Sequence, residues 1–143
     1  MPIDPRHENL LTARDIGVLA TIKRDGRPQL STINYHFDAA RSLVRISVID
    51  DRAKVRNLRR DPRVSLHVSS PDGWRWVVAE GTARLSPVAA KRDDATVEEL
   101  IDVYRTIAGK EHPDWDDYRR AMVADRRLVL RIYVERLYGW LPG

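Results

Sequence analysis

Apolar and polar positions along the chain fall mainly into strand-length patterns. Ile16 to Ile22 is an almost unbroken apolar run, the pattern of a strand covered on both faces. Arg24-Asp25-Gly26-Arg27 follows with an Asp-Gly hairpin signal, so Pro28 to Phe37 is expected to return antiparallel to it. The proline is compatible with a strand because it comes first. Asp38 to Arg41 then turns the chain into a third strand, Ser42 to Ile49. Further on, Val64, Leu66 and Val68 alternate with Ser65, His67 and Ser69, the period of two of a half-buried strand. Pro71-Asp72-Gly73 makes a turn into a long strand, Trp74 to Leu85, in which Gly81 marks a bend or bulge. Leu128, Leu130, Ile132 and Val134 alternate in a closing strand.

Helical periodicity occupies the gaps. Pro5 to Ala13 reads as a short helix capped by Asp4, with Leu10 and Leu11 turned inward. Thr96 with Glu99 has the spacing of a capping box, and Val97, Leu100, Ile101, Tyr104 and Ala108 form one stripe. Asp114 starts another helix with Trp115, Tyr118 and Met122 on one face. Six strands joined mostly by tight turns point to a mainly β fold with flanking helices, a small six-stranded barrel that removes its edges by closing on itself. A parallel α/β sheet would need helical crossovers between most strands, and they are missing. No repeat or linker interrupts residues 1–143, which read as a single domain.

One segment fits neither pattern simply. Asp50-Asp51-Arg52-Ala53-Lys54-Val55-Arg56-Asn57-Leu58-Arg59-Arg60-Asp61-Pro62 opens a short helix after a strand, and Pro62 closes it. Val55 and Leu58 anchor such a helix to a core, leaving the arginines as a solvated face. Arg52 and Lys54, however, stand in the first turn, where the helix dipole already disfavours cations. Cations there, added to exposed N–H groups, suit a phosphate.

Composition narrows the chemistry. The 143 residues suffice for a real core, since a chain of this size buries roughly 68–70% of its unfolded surface. There is no cysteine, which excludes disulfides, thiolate metal sites and thiol nucleophiles. No apolar run approaches a membrane span and the N-terminus is unlike a signal peptide, so a cytoplasmic location is expected. The net charge of +4 fits a small acidic ligand better than nucleic acid. His7, His36, His67 and His112 are too scattered to share a metal, and Asp116 with Asp117 fits an acidic first turn better than a catalytic pair. Trp74 and Trp76, spaced for one face of a strand, could cover a core, bind a partner or stack on a planar ligand. With Tyr138 and Trp140 they make the strand ends too apolar for a lone monomer. An anion site without an acid–base constellation points to a cofactor that carries the reaction itself.

Several segments together resemble the actinobacterial F420-dependent flavin/deazaflavin oxidoreductases, split β-barrel proteins related to pyridoxamine 5′-phosphate oxidase. They are Gly17-Val-Leu-Ala-Thr-Ile-Lys-Arg-Asp-Gly-Arg-Pro-Gln-Leu-Ser31, Arg52-Ala-Lys-Val-Arg-Asn-Leu-Arg-Arg-Asp-Pro62, Gly73-Trp74, Ala79-Glu-Gly81 and Asp114-Trp-Asp-Asp-Tyr-Arg119. The hairpin segment recurs widely in split barrels, whereas the Arg-Ala-Lys helix with Asp-Trp-Asp-Asp-Tyr is more discriminating. The resemblance implies a homodimer with two equivalent sites at its interface. It implies a cofactor phosphate beside Arg52, Ala53 and Lys54, with Asn57 and the surplus arginines toward the rest of the cofactor. Gln29, Leu30, Ser31 and Thr32 would lie along the cofactor, as would Ser47, Val48 and Ile49, and Trp74 would reach the site from the partner. The Arg/His substrate motif of pyridoxamine-phosphate oxidases is missing from Leu128 to Gly143.

The resulting expectation is an F420H2-dependent reductase acting on a conjugated small molecule, with no catalytic side chain and no metal. An FMN-dependent oxidase or reductase on the same fold is one alternative. A non-catalytic cofactor- or ligand-binding split barrel is the other.

Overall fold

The computed structural model describes residues 4–142. The elements follow in the order α1 (Pro5–Ala13), β1 (Ile16–Ile22), β2 (Pro28–Asn34), β3 (His36–Asp38), β4 (Leu43–Ile49), α2 (Ala53–Arg60), β5 (Arg63–Ser69), β6 (Trp76–Leu85), α3 (Ala95–Ala108), α4 (Trp115–Ala124) and β7 (Arg127–Trp140). All strand pairs are antiparallel, in a single curled sheet of order β2-β1-β5-β6-β7-β4-β3. Its inner face holds the main core, built on Leu19, Tyr35, Ile46, Leu66, Val77, Leu128 and Leu130, and α1 adds Leu11. No helix among the described residues is long and apolar enough to cross a membrane.

There are seven strands rather than six, because the expected strand from Pro28 to Phe37 breaks at Tyr35. The Tyr35 N–H donates to Asp15 O at 2.9 Å, extending the β1–β2 register by one residue before the chain changes partner. Its buried hydroxyl donates to Leu11 O at 2.6 Å, occupying one of the carbonyls left open in the last turn of α1. The first half then pairs with β1 and the second with β4. These halves are the two ends of the sheet, so one peptide segment ties its edges together, as in a split barrel.

Other expectations hold or shift for local reasons. Gly26 takes the hairpin turn with φ 87°, and Asp25 Oδ1 accepts from Arg27 N at 3.0 Å. The β6–β7 register slips between Glu80 and Gly81, and a Cβ on Gly81 would stand 2.2 Å from Tyr133 O. A bulge with glycine is what that close approach requires. β6 starts at Trp76, since Trp74 belongs to the preceding turn and is 76% exposed; the two tryptophans therefore do not share a strand face. Asp94, not Thr96, caps α3, accepting from Val97 N at 2.9 Å, while Thr96 turns its hydroxyl to Pro87 O.

α3 and α4 form a second, smaller core with Val129 of β7. α3 is fastened to the outside of the sheet by Arg45 of β4, whose Nη2 lies 2.6 Å from Asp102 Oδ2, and by the Arg131–Glu99 pair. This places the end of α3, with Ile107, beside the seam where the barrel is open.

Candidate functional site

Beyond the Tyr35 break the two halves of the sheet separate. β2 pairs only with β1, and from Ile46 to Ile49 β4 pairs only with β7. Two strand edges with unpaired N–H and C=O groups therefore border an open seam, and such edges favour an added polar partner. A cleft of about 330 Å³ occupies it, lined by Thr32, Ile33 and Asn34 of β2 and Ser47, Val48 and Ile49 of β4. Arg52, Lys54, Ile107 and Arg127 complete the walls. Val48 has its side chain in the core.

The cationic end of the cleft is built from two distant segments. α2 begins shortly after β4, and Arg52, its N-cap, makes no side-chain cap bond; the Val55 N–H turns back to Arg52 O at 3.0 Å, which leaves the Ala53 and Lys54 N–H groups for an anion. Val55 and Leu58 bury one side of the helix. Arg127 opens β7 in register with Ile49, and its Nη1 reaches Ser47 Oγ at 3.4 Å. The Nε of Arg127 is buried without a hydrogen-bond partner, with Asp125 Oδ2 3.9 Å away. Among the described residues, neither Arg52 nor Lys54 forms an ion pair. Burial, then the charges of Arg52 and Arg127, holds the Lys54 ammonium below its ordinary 10.5. Arg52, Lys54 and Arg127 repel one another, and the one carboxylate paired among them, Asp125, stands 3.9 Å from Arg127 Nε, so a bound anion would relieve the cluster.

Of the residues expected along the cofactor, Thr32, Ser47, Val48, Ile49, Arg52 and Lys54 come together here. Leu30 shares the outward face of β2 with Thr32 and is 63% exposed, while Ser31 is on the opposite face. Gln29, Ala53 and Asn57 border a different depression, with Lys23, Arg24, Arg56, Arg59 and Arg60. Asn57 is buried, and its amide donates to Thr21 Oγ1 at 3.1 Å and Gln29 Oε1 at 3.0 Å. These bonds fasten α2 to the first hairpin. Arg60 Nη2 donates to Ile22 O and to Asn57 Oδ1, and Arg59 pairs with Asp50 at 2.5 Å. Trp74 does not line the cleft in this chain. The sequence reading missed Arg127 and Ile107, whose approach to Lys54 depends on long-range packing without a local motif.

The sequence profile described as pyridoxamine 5′-phosphate oxidase matches residues 3–141. The chain belongs to this family. Solved structures share the family's fold. An F420 reductase is 24% identical, covers 92% of this chain and 94% of its own, and superposes with a TM-score of 0.68. A conserved hypothetical protein from Mycobacterium tuberculosis is 24% identical over 100% of this chain and 91% of its own, with a TM-score of 0.74. A FAD-binding protein from Mesorhizobium loti is 21% identical over 94% and 90%, with a TM-score of 0.66.

Lys54 gives the site a pH signature. The unfolded chain holds this proton more tightly than the fold does, so without ligand its contribution makes stability rise with pH from the lowered value up to 10.5. A bound anion reverses the preference by favouring the ammonium. Affinity for inorganic pyrophosphate is therefore expected to fall as alkaline pH deprotonates Lys54, and Lys54→Arg should hold its affinity over the same range. Titration calorimetry checks this; an equal fall in both proteins would assign the titrating group elsewhere.

Proposed function

We propose that this protein binds coenzyme F420 and is an F420H2-dependent oxidoreductase, passing a hydride to a conjugated small-molecule acceptor. The observation that carries the reading is the convergence of Arg52, Lys54 and Arg127 at one end of the barrel seam. A solvated basic face needs no such convergence. The donor set fits a phosphate, and the remaining walls fit a planar ring with polar edges. Thr32 and Ser47 offer hydroxyls, the seam offers strand-edge amides, and Ile49 and Ile107 offer aliphatic surface. The F420 reductase among the structural neighbours supports the deazaflavin, and the FAD-binding neighbour keeps FMN as the alternative to be tested.

Bound F420H2 supplies the hydride. The chain's own work is to bind, orient and exclude water. Arg52, Lys54 and Arg127 hold the phosphate at the start of α2. The hydroxyls of Thr32 and Ser47 and the edge amides would hold the polar edges of the ring, and Ile49 and Ile107 would shield it from solvent. The proton that completes reduction of the acceptor comes from solvent or from a seam hydroxyl, so no strongly basic or acidic side chain is required.

A homodimer completes this site. Ile16, Leu30, Tyr138 and Trp140 are exposed apolar side chains on the sheet, and Leu30 lies two residues from Thr32 on the same face. A second copy would cover them and close the open side of the cleft, with the exposed Trp74 available to the neighbouring site. Sedimentation equilibrium at micromolar concentration is expected to give twice the 16.5 kDa chain mass, and a stable monomer would contradict this.

The tail of F420 carries several carboxylates, and a groove of about 680 Å³ beside the cleft is lined by Lys23, Arg24 and Arg56. Arg59 and Arg60 are engaged by Asp50, Ile22 and Asn57, so Arg56 and the hairpin cations are the better tail contacts. Exposed pairs contribute about 0–1 kcal/mol each and are screened by salt. Fluorescence titration should therefore show F420 binding tighter than FMN. The gap should narrow at high ionic strength and in the Lys23/Arg24/Arg56 triple alanine. Tighter binding of FMN by the wild type would contradict the F420 assignment.

A further inference from the structure

We infer that Asp50 is the positioning residue of the phosphate site, gripping the turn that delivers Arg127 and withholding two neighbouring arginines from the ligand. The inference rests on the reading of the cleft as a phosphate site, and the chain's own geometry supplies the rest.

Asp50 stands between the end of β4 and the start of α2. Its Oδ1 accepts from Arg59 Nη2 at 2.5 Å, and its Oδ2 accepts from Arg126 Nη2 at 3.0 Å. Its backbone N–H donates to Arg126 O at 3.1 Å. One residue thus holds the last turn of α2 and, by main chain and side chain together, the turn between α4 and β7.

That turn needs holding. Arg126 has φ 55°, a left-handed conformation that a long side chain adopts only when its surroundings impose it. Arg127 follows directly and enters β7 beside Ile49, with Ser47 Oγ as the one polar contact of its Nη1. If Arg126 relaxes, the trajectory of Arg127 into the cleft changes with it.

The same carboxylate sorts the charges. Arg59 and Arg126 are paired with it, while Arg52 and Lys54 form no ion pair and Arg127 has only the Asp125 carboxylate, 3.9 Å from its Nε. Without Asp50, two more loose guanidinium groups would compete for the phosphate from outside the cleft. The local potential would be more positive, but the arrangement would lose its order.

This opposition makes the inference testable, because charge alone and position predict opposite signs. Removing a carboxylate near a phosphate site should strengthen anion binding if only the field matters. If Asp50 acts by position, Asp50→Asn should weaken it. The probes are the deazaflavin–ribitol core of F420 with and without its phosphate, titrated by fluorescence against the full chain. The ratio of the two affinities reads the phosphate site alone. The expected result is a wild-type preference for the phosphorylated core that falls about tenfold in Asp50→Asn, the scale of one charge-assisted hydrogen bond. Affinity for the phosphate-free core should stay within about twofold.

Asp50→Glu keeps the charge but lengthens the arm, so it should lose part of the preference, whereas a field effect leaves it unchanged. It also serves if Asp50→Asn folds poorly. Combining Asp50→Asn with Arg127→Gln should cost little more than Arg127→Gln alone, since the two act through one contact. A preference that survives or grows in Asp50→Asn, or additive losses in the double variant, would overturn the positioning role and leave the phosphate site standing. A wild type without any preference for the phosphorylated core would overturn the phosphate site and this inference together.

Discussion

The arrangement depends on the interruption of one strand at Tyr35. Its N–H makes the last bond of the β1–β2 register, to Asp15 O, and its hydroxyl reaches the end of α1. The two segments on either side then pair at opposite ends of the sheet. Up to Tyr35 the segment follows β1, and from His36 it follows β4. The break ties the sheet into a barrel and, in the same step, leaves β2 and β4 apart where Thr32 and Ser47 line the cleft. Closure and opening have a common cause.

Electrostatics decides what such a seam can receive. The chain could have lined it with paired charges, as it does where Arg45 meets Asp102 and Glu99 under α3. Those groups satisfy one another and fix a helix, and an ion pair of that kind contributes more to geometry than to net stability. At the seam the pattern is reversed. Asp50 takes Arg59 and Arg126, and Arg52 and Lys54 are left to face Arg127, whose one carboxylate neighbour is Asp125 at 3.9 Å. Burial first, and then the neighbouring charges of Arg52 and Arg127, lower the proton affinity of Lys54, so holding its ammonium here costs stability in the free protein. That cost is returned on anion binding, so the phosphate is recognised by relief of repulsion as well as by direct contact.

Much of this was legible in the sequence, for reasons that are local. The Asp25-Gly26 turn, the alternation from Val64 to Val68, the glycine bulge in β6 and the helix from Ala53 to Arg60 each follow from residues close together in the chain. The barrel class followed from their order. The break at Tyr35 did not, because Ile33, Tyr35 and Phe37 keep strand periodicity straight through it. What happens there is a change of pairing partner, from β1 to β4, which no local residue signals. Asn57 was read toward the cofactor because it lies in the basic helix, yet its amide is occupied by Thr21 and Gln29. Arg127 was invisible for the same reason, since its place beside Lys54 is set by the register of β7 on β4. Neighbours in sequence gave the elements and half of the cationic cluster, and tertiary contacts supplied the rest.

The central claim is that the seam is a phosphate-anchored cofactor site with Arg52, Lys54 and Arg127 as its anchor. A crystal structure of the protein grown with F420 tests it most directly. The phosphate is expected within hydrogen-bonding distance of all three cations, with the deazaflavin ring between Thr32 of β2 and Ser47 of β4. A cofactor seated elsewhere, such as on the outer face around His67 and Trp76 or with its phosphate among Lys23, Arg24 and Arg56, would contradict it.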